Sequence, residues 1–370
     1  MAVISYKCPN CDGELVFNPG TQKYRCEYCA SAFSQEELQQ MEPAVGGETD
    51  PLAESRRQNN SSTQEGERNQ EETGRSSREG EVGNSYSCPS CGAQIVTDDT
   101  TAASFCYYCH NPVVLSGRVS GEFLPHKIIP FSIDKNQATE RFLKYVHSKK
   151  FVPRAFFHRR QIEKISGVYF PYWMVDVDLA GSLQAEAKNV RVWRRGDTEY
   201  TETKVYRVER EGNIHVEDLA RNALKKANHE LSSGILPYDM SKVQDFHMGY
   251  LSGFLAERRD IEREELEREV QAEAAEYGEK ILKKSVQGYS HVSVRNCSIR
   301  CQRENWDYMM LPVWTVTYKG KDGKMYYYSM NGQTGSVYGE LPIDYKKVWM
   351  FGGIVSVLVF ILGLIGGFLL

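Results

Sequence analysis

Residues 8–29 read CPNCDGELVFNPGTQKYRCEYC, and residues 88–109 read CPSCGAQIVTDDTTAASFCYYC. Both follow C-x2-C-x14-C-x2-C, and each cysteine of the second array lies 80 positions after its counterpart. The flanks repeat too: Ser5-Tyr6 with Ser85-Tyr86, Pro9 with Pro89, Val16 with Val96, and Tyr28 with Tyr108. This is an internal duplication of a short module. Each C-x2-C knuckle offers two thiolates from one tight turn, and a hairpin between two knuckles closes a tetrahedral four-sulfur site. The pattern predicts two zinc ribbons, one at 1–36 and one at 85–117. Their ligands are Cys8, Cys11, Cys26 and Cys29 in the first, and Cys88, Cys91, Cys106 and Cys109 in the second, giving two zinc sites. An iron site of rubredoxin type is the chemical alternative, because soft thiolates accept both metals. Modules of about 30 residues bury too little apolar surface to fold alone, so the metal supplies folding energy on the order of 10 kcal/mol. Four cysteines leave no open position for water, which makes the sites structural rather than catalytic.

At the other end, residues 348–370 read VWMFGGIVSVLVFILGLIGGFLL, with no charge in 23 positions. As a helix this run spans about 34 Å, enough for a hydrocarbon core of about 30 Å. Lys346 and Lys347 precede it and Trp349 marks its boundary. Positive charge stays on the cytoplasmic side, so the expectation is a single-pass cell-membrane protein with its N-terminal bulk in the cytoplasm. Reduced, metal-binding cysteines agree with that compartment. The transmembrane anchor is assigned to 346–370.

The 370 residues are 41% hydrophobic and 25% charged, with a net charge of −4. That length asks for two or three modules, and the charge excludes a strongly basic, purely electrostatic nucleic-acid binder. Residues 41–84 hold ten acidic residues, five arginines and few aliphatics. Such composition cannot offset its ordering entropy by burial, so 37–84 is read as a disordered linker that leaves the first ribbon mobile relative to the second. Residues 118–345 hold the only core large enough for a conventional domain. Asp134 reads as an N-cap, with a helix running to about Lys149. Strand-like runs begin at Val168 and include VRVW, EYTETKVYRVE, HVSVRNCSIR, LPVWTVTYKG and KMYYYSM. Phe170-Pro171-Tyr172-Trp173-Met174-Val175 echoes Leu311-Pro312-Val313-Trp314-Thr315-Val316, which suggests two related β units. Residues 256–284 read as a long charged helix with an apolar stripe of Ile261, Val270, Ala274, Tyr277 and Ile281. A solvated helix with one packed face is the plain reading, and a protein-docking helix is the alternative. The fold class is therefore α+β: two small N-terminal ribbons, a mixed domain with antiparallel strands, and one C-terminal transmembrane helix.

Catalytic signatures are missing. There is no G-x4-G-K-[ST] loop, no H-E-x-x-H and no G-x-S-x-G, so no enzyme activity and no small-molecule substrate are expected. Asp176 and Asp178 share a strand face, but such a pair more often marks a strand entering solvent. Cys297 and Cys301 lie about 13 Å apart on a strand and read as two small core residues. From Lys127 to Lys164 ten Lys or Arg face three carboxylates, interleaved with Phe131, Phe142, Tyr145, Phe151, Phe156 and Phe157. That combination suits nucleic acid or, for a tethered chain, an anionic lipid surface, unless the aromatics are core and the cations a solvated face. Residues 85–117 contain no Lys or Arg, which disfavours phosphate binding by the second ribbon.

The paired CPxC…CxYC ribbons, GVYFPYW, LPVWTVTY, NGQTGSVYGELP and the terminal apolar run together resemble bacterial TFIIB-type double zinc-ribbon membrane proteins. These are often labelled primosomal or replication-restart helicase-like. The helicase label has no nucleotide-binding loop behind it here. The resemblance implies a non-enzymatic membrane protein whose partner is a stomatin-like (SPFH) or phage-shock-type protein, in envelope stress or membrane organisation. The expected function is a membrane-anchored cytoplasmic zinc-ribbon adaptor, with the membrane contacted through 348–370. The rival is a membrane-tethered nucleic-acid binder using a ribbon and the basic 127–164 stretch.

Overall fold

In the computed structural model, residues 3–40, 44–46, 84–89, 91, 94–106, 110–153, 165–319 and 325–369 are described. The core of the chain is a pair of very long strands. Strand β1 runs Ser166–Arg195, turns at Gly196 (φ +65°) and returns as β2, Thr198–Asn222. Strand β3, His291–Lys319, lies antiparallel to β1 on its other side and pairs antiparallel with β4, Met325–Asn331. The separate strand-like runs of the sequence are thus segments of continuous strands. Gly181 lets Ile299 and Leu282 pack close against β1, because a Cβ there would lie 2.8 Å from both. The described chain is mixed α+β, with strands dominant.

Helix α1, Lys135–His147, starts at Asp134, whose carboxylate accepts from the Gln137 N–H in a capping box. It buries Ala138, Phe142 and Val146. Helix α2, Arg263–Ser285, buries Leu266, Val270, Ala274, Gly278 and Leu282 against β1 and β3. The stripe expected from sequence was right at Val270 and Ala274 and wrong beyond them. Tyr277 and Ile281 are exposed, because at Gly278 the missing side chain lets Leu179 and Ile299 approach and rotates the contact line by one residue. Ile261 is buried just before the helix rather than on it.

The two Pro-x-Trp motifs meet across the β1–β3 ladder, with Phe170 opposite Leu311. Around them the domain repeats itself. Trp173 donates its indole N–H to the Ile261 carbonyl at 3.0 Å, and Trp314 donates to the Ile133 carbonyl at 2.9 Å. Both isoleucines precede an acidic N-cap, Asp134 or Glu262. Ala223 N–H donates to the Pro171 carbonyl and Gly332 N–H to the Pro312 carbonyl. The Ala223 carbonyl then accepts from Asp260 and Ile261, while that of Gly332 accepts from Ser132 and Ile133. Lys127–Ile128 runs parallel to β3, and Leu255–Glu257 runs parallel to β1. The buried positions of α1, Ala138, Phe142 and Val146, correspond to Leu266, Val270 and Ala274 of α2, each 128 positions later. The domain is an internal duplication in which each half's tryptophan closes onto the other half's loop.

Both cysteine modules are built onto this domain. Thr101–Phe105 of the second pairs with Leu255–Glu257, and Pro112–Leu115 pairs with Val3–Ser5 of the first, so one twelve-stranded sheet runs through all three parts. The expectation that the linker leaves the first module mobile relative to the second is therefore not met. The pairing joins two strands of only three and four residues, too short to register as periodicity. Packing adds more than pairing does. Leu15, Phe17, Tyr24 and Leu38 are buried in one cluster with Phe131, Tyr169, Tyr250 and Phe254. Each such burial contributes roughly 1.5–3 kcal/mol. Helix Gln35–Gln39, capped by Ser34, and strand Ala44–Gly46 occupy the start of the span read as linker. The rest of that span, 41–43 and 47–83, lies outside the described residues.

Two smaller readings also change. Cys297 is half-buried against the α2 core, but Cys301 is exposed and not core. A register shift between Asp178 and Leu179 in the ladder intervenes next to Cys301. In the basic stretch Phe131 and Phe142 are core, and Lys127 is paired with Asp245 at 2.6 Å. Phe156, Phe157 and the cations of 154–164 lie outside the described residues. Helix α3, Tyr345–Leu369, is the last of the described elements. It is long and apolar enough to cross a membrane, and its window Tyr345–Leu362 is not buried against the rest of the protein.

Candidate metal centres

The first centre forms where two tight turns face each other. Cys8 N–H donates to the Gly13 carbonyl, and Asp12 N–H donates back to Cys8; Cys26, Ala30 and Ser31 repeat the arrangement. Each turn needs a left-handed residue four positions after its first cysteine. Asp12 (φ +60°) and Ala30 (φ +59°) fill that role, as does His110 (φ +59°) after Cys106 in the second module. The turn aims both sulfurs of a knuckle at the same point. Cys8 and Cys26 are buried, Cys11 and Cys29 exposed.

The sulfurs of Cys8 and Cys29 lie 3.6 Å apart, and those of Cys11 and Cys26 lie 3.4 Å apart. All four sit within 4.8 Å of one another. A disulfide needs about 2.05 Å. A tetrahedral four-sulfur site with bonds of about 2.3 Å puts its sulfurs about 3.8 Å apart. The donor set therefore fits a metal ion and not a bridge. Ser31 draws the Cys29 thiol down to about 6, through its side chain first and its backbone N–H second. Burial pushes the Cys8 thiol up, so a metal's charge is what favours the thiolate there.

In the second centre Cys88, Cys91 and Cys106 converge within the same limit, with Cys91 and Cys106 sulfurs 3.7 Å apart. Cys109, expected as the fourth ligand, lies outside the described residues. Sequence reasoning missed the side chain that holds this module together. Arg118 is buried, donates its Nε to the Tyr86 hydroxyl at 2.8 Å, and reaches the Thr101 carbonyl with Nη1 at 3.2 Å. The signal was available: it is the first cation after a span with none.

The first centre is seated on the 246–254 loop. The Ser252 hydroxyl donates to the Leu15 carbonyl at 2.6 Å, the Ser252 carbonyl accepts from Phe17 N–H at 3.1 Å, and the Gln22 amide donates to the Phe131 carbonyl at 2.8 Å. Tyr28, between the second pair of ligands, is 79% exposed. Over 352 residues the chain is 30% identical to a Bacillus subtilis protein described as "Uncharacterized protein YdjG", covering 95% of this chain and 94% of that one. The chain belongs to the YdjG family. No family model matches it, and no solved structure matches it. The YdjG match covers nearly the whole length of both chains.

The remaining candidate carboxylates of this YdjG-family chain are engaged in hydrogen bonds within the sheet. Asp178 accepts from His215 Nδ1 at 2.6 Å and from Arg303 Nε at 2.9 Å, which holds its carboxyl below the usual range. Asp176 instead accepts from the Asp218 N–H at 3.0 Å. The pair shares a strand face, as expected, but each carboxylate serves a cross-strand contact. Asn331, Gly332 and Gly335 of the NGQTG turn are likewise structural. Asn331 is buried, donates to the Ile235 carbonyl at 3.0 Å and accepts from the Gln333 and Thr334 N–H groups.

Proposed function

We propose that this protein is a membrane-anchored cytoplasmic adaptor that holds two zinc ions and docks a protein partner on its cysteine modules. The observation that carries this reading is the closed cluster of four convergent cysteine sulfurs in the first module. Four protein ligands saturate a tetrahedral zinc, so such a site shapes a surface rather than activating water. The second module, with the same spacing, takes the second zinc. The exposed apolar α3 supports the anchor, and Lys346 and Lys347 before it keep the bulk of the chain on the cytoplasmic side. The exposed Tyr28 beside the ligands supplies an aromatic of the kind enriched in protein interfaces. By the family resemblance, the partner is a stomatin-like or phage-shock-type protein.

The test is affinity purification of the full chain from detergent-solubilised membranes, with zinc quantified and nuclease added to half the sample. The adaptor reading expects about two zinc per chain and partners that survive nuclease. It also expects those partners to be lost from a Cys88→Ser/Cys91→Ser chain. Partners unaffected by that substitution overturn docking by the second module. Co-purified nucleic acid, with proteins released by nuclease, replaces the adaptor by the tethered nucleic-acid binder.

A further inference from the structure

The end of α1 is strapped to the start of α3. The Phe151 carbonyl accepts from Asp344 N–H at 2.7 Å, and the Val152 carbonyl accepts from the Lys347 ammonium at 2.6 Å. The Phe151 ring meets the Phe351 ring edge-on, with centroids 5.6 Å apart. Phe351 stands four residues beyond Lys347, about 6 Å further along the helix axis. It belongs to the uncharged run, whereas Lys347 lies outside it. Phe151 therefore reaches past the level of Lys347 to the uncharged run, and Lys149 and Lys150 precede it directly in the chain.

A cavity of about 480 Å³ opens at this junction. Among the described residues, Lys149 and Lys150 are the charged groups that line it. Tyr145, Leu341 and Ile343 supply an apolar wall, and Ser148 adds a hydroxyl. The Lys149 ammonium sits 4.9 Å from the Tyr145 ring centroid, which turns it toward this wall. Asp344, Lys346 and Lys347 follow Leu341 and Ile343 in the chain, and the Asp344 carboxylate accepts from Lys346 N–H.

We infer that this cavity binds the phosphate headgroup of an anionic lipid of the cytoplasmic leaflet. The inference rests on the reading of α3 as a membrane span. A headgroup at this height meets the ammonium groups, while its acyl chains run down beside Phe151 and Phe351. Basic side chains beside a membrane entry point attract anionic lipid. Here the attraction has a fixed address, because the Asp344 N–H and the Lys347 ammonium tie down Phe151 and Val152, directly after Lys149 and Lys150. This also assigns a role to part of the basic and aromatic stretch that the metal centres leave unused.

The test is native mass spectrometry of the full chain in non-ionic detergent, with equal amounts of a phosphatidylglycerol and a phosphatidylcholine. The wild-type chain is expected to retain the anionic lipid preferentially. Lys149→Gln/Lys150→Gln should weaken that retention on the order of 30-fold, from two lysines at the surface. Lys127→Gln, at a remote cation paired with Asp245, should leave it unchanged. Unaltered metal content reports that the variants are folded. Equal retention of both lipids by the wild-type chain, or no loss in the double variant, overturns the proposal. So does displacement of the lipid by an equal concentration of glycerol phosphate, because the acyl chains then contribute nothing. Membrane fractionation of the same wild-type chain separates this failure from failure of the anchor. A chain absent from the membrane pellet refutes the span; a chain present there without lipid preference refutes only the site.

Discussion

Trp173 and Trp314 show how single residues lock the duplicated domain. Each indole N–H reaches a backbone carbonyl in the other half, at Ile261 and Ile133, and both rings are almost fully buried. The Ile261 and Ile133 carbonyls sit at chain turns ahead of α2 and α1, outside any ladder. Trp173→Phe or Trp314→Phe keeps an aromatic ring but leaves a buried carbonyl unpaired, which costs about 1–3 kcal/mol. In a domain of this size each kcal/mol lowers the melting temperature by roughly 2–4 °C. A thermal melt of the full chain in detergent checks this, with Ile133→Val as the control that retains the carbonyl. The sequence exposed the two Pro-x-Trp motifs as an echo, and that reading was sound. It could not show the crossing, because the loops carrying Ile133 and Ile261 share only an isoleucine and an acidic cap.

Elements are joined by contacts that neither partner's own sequence announces. The second cysteine module meets the domain where Lys226 bridges Asp98 at 2.7 Å and Glu257 at 2.9 Å. Burial raises the Glu257 carboxyl above its ordinary 4.5, with Lys226 opposing the shift. A raised carboxyl pKa means that the folded chain holds this proton longer. The stability it brings is present below the ordinary value and is lost as pH rises through the folded value. Lys226→Met removes the opposing cation and leaves an ionised Glu257 against a neutral partner. The variant is therefore expected to lose more melting temperature at pH 8 than at pH 5.5, and adding Glu257→Gln should flatten the difference. Melting curves of the three chains at both pH values decide it. Legibility follows the same division. The cysteine arrays and α1 were readable because their signals are local: fixed spacing in one, a cap followed by a packed face in the other. The stripe of α2 was misread past Ala274 because Gly278, silent in any hydrophobic pattern, carries the contact. Cys301 was misplaced because a ladder irregularity beside it leaves no trace in composition.

For the whole molecule, the two cysteine modules are one assembly with the domain, since a single sheet passes from Leu255–Glu257 through Thr101–Phe105 and Pro112–Leu115 to Val3–Ser5. This linkage was illegible in sequence, because Val3–Ser5 and Pro112–Leu115 are separated by more than a hundred residues that include the acidic stretch. It has a measurable consequence. Unfolding the first module exposes one edge of Pro112–Leu115, the strand that follows the last cysteine of the second module. It leaves intact the bonds from Arg118 to Tyr86 and Thr101. A Cys8→Ser/Cys11→Ser chain should therefore bind one metal ion instead of two, with the second site still occupied but less protected. Release of that remaining ion to a competing chelator, followed by absorbance, is expected to be several-fold faster than release of the slower ion from the wild-type chain. Equal rates would mean that the modules share a sheet without sharing stability. Faster release would make the pair one cooperative unit, so that a partner bound to the first module also steadies the second.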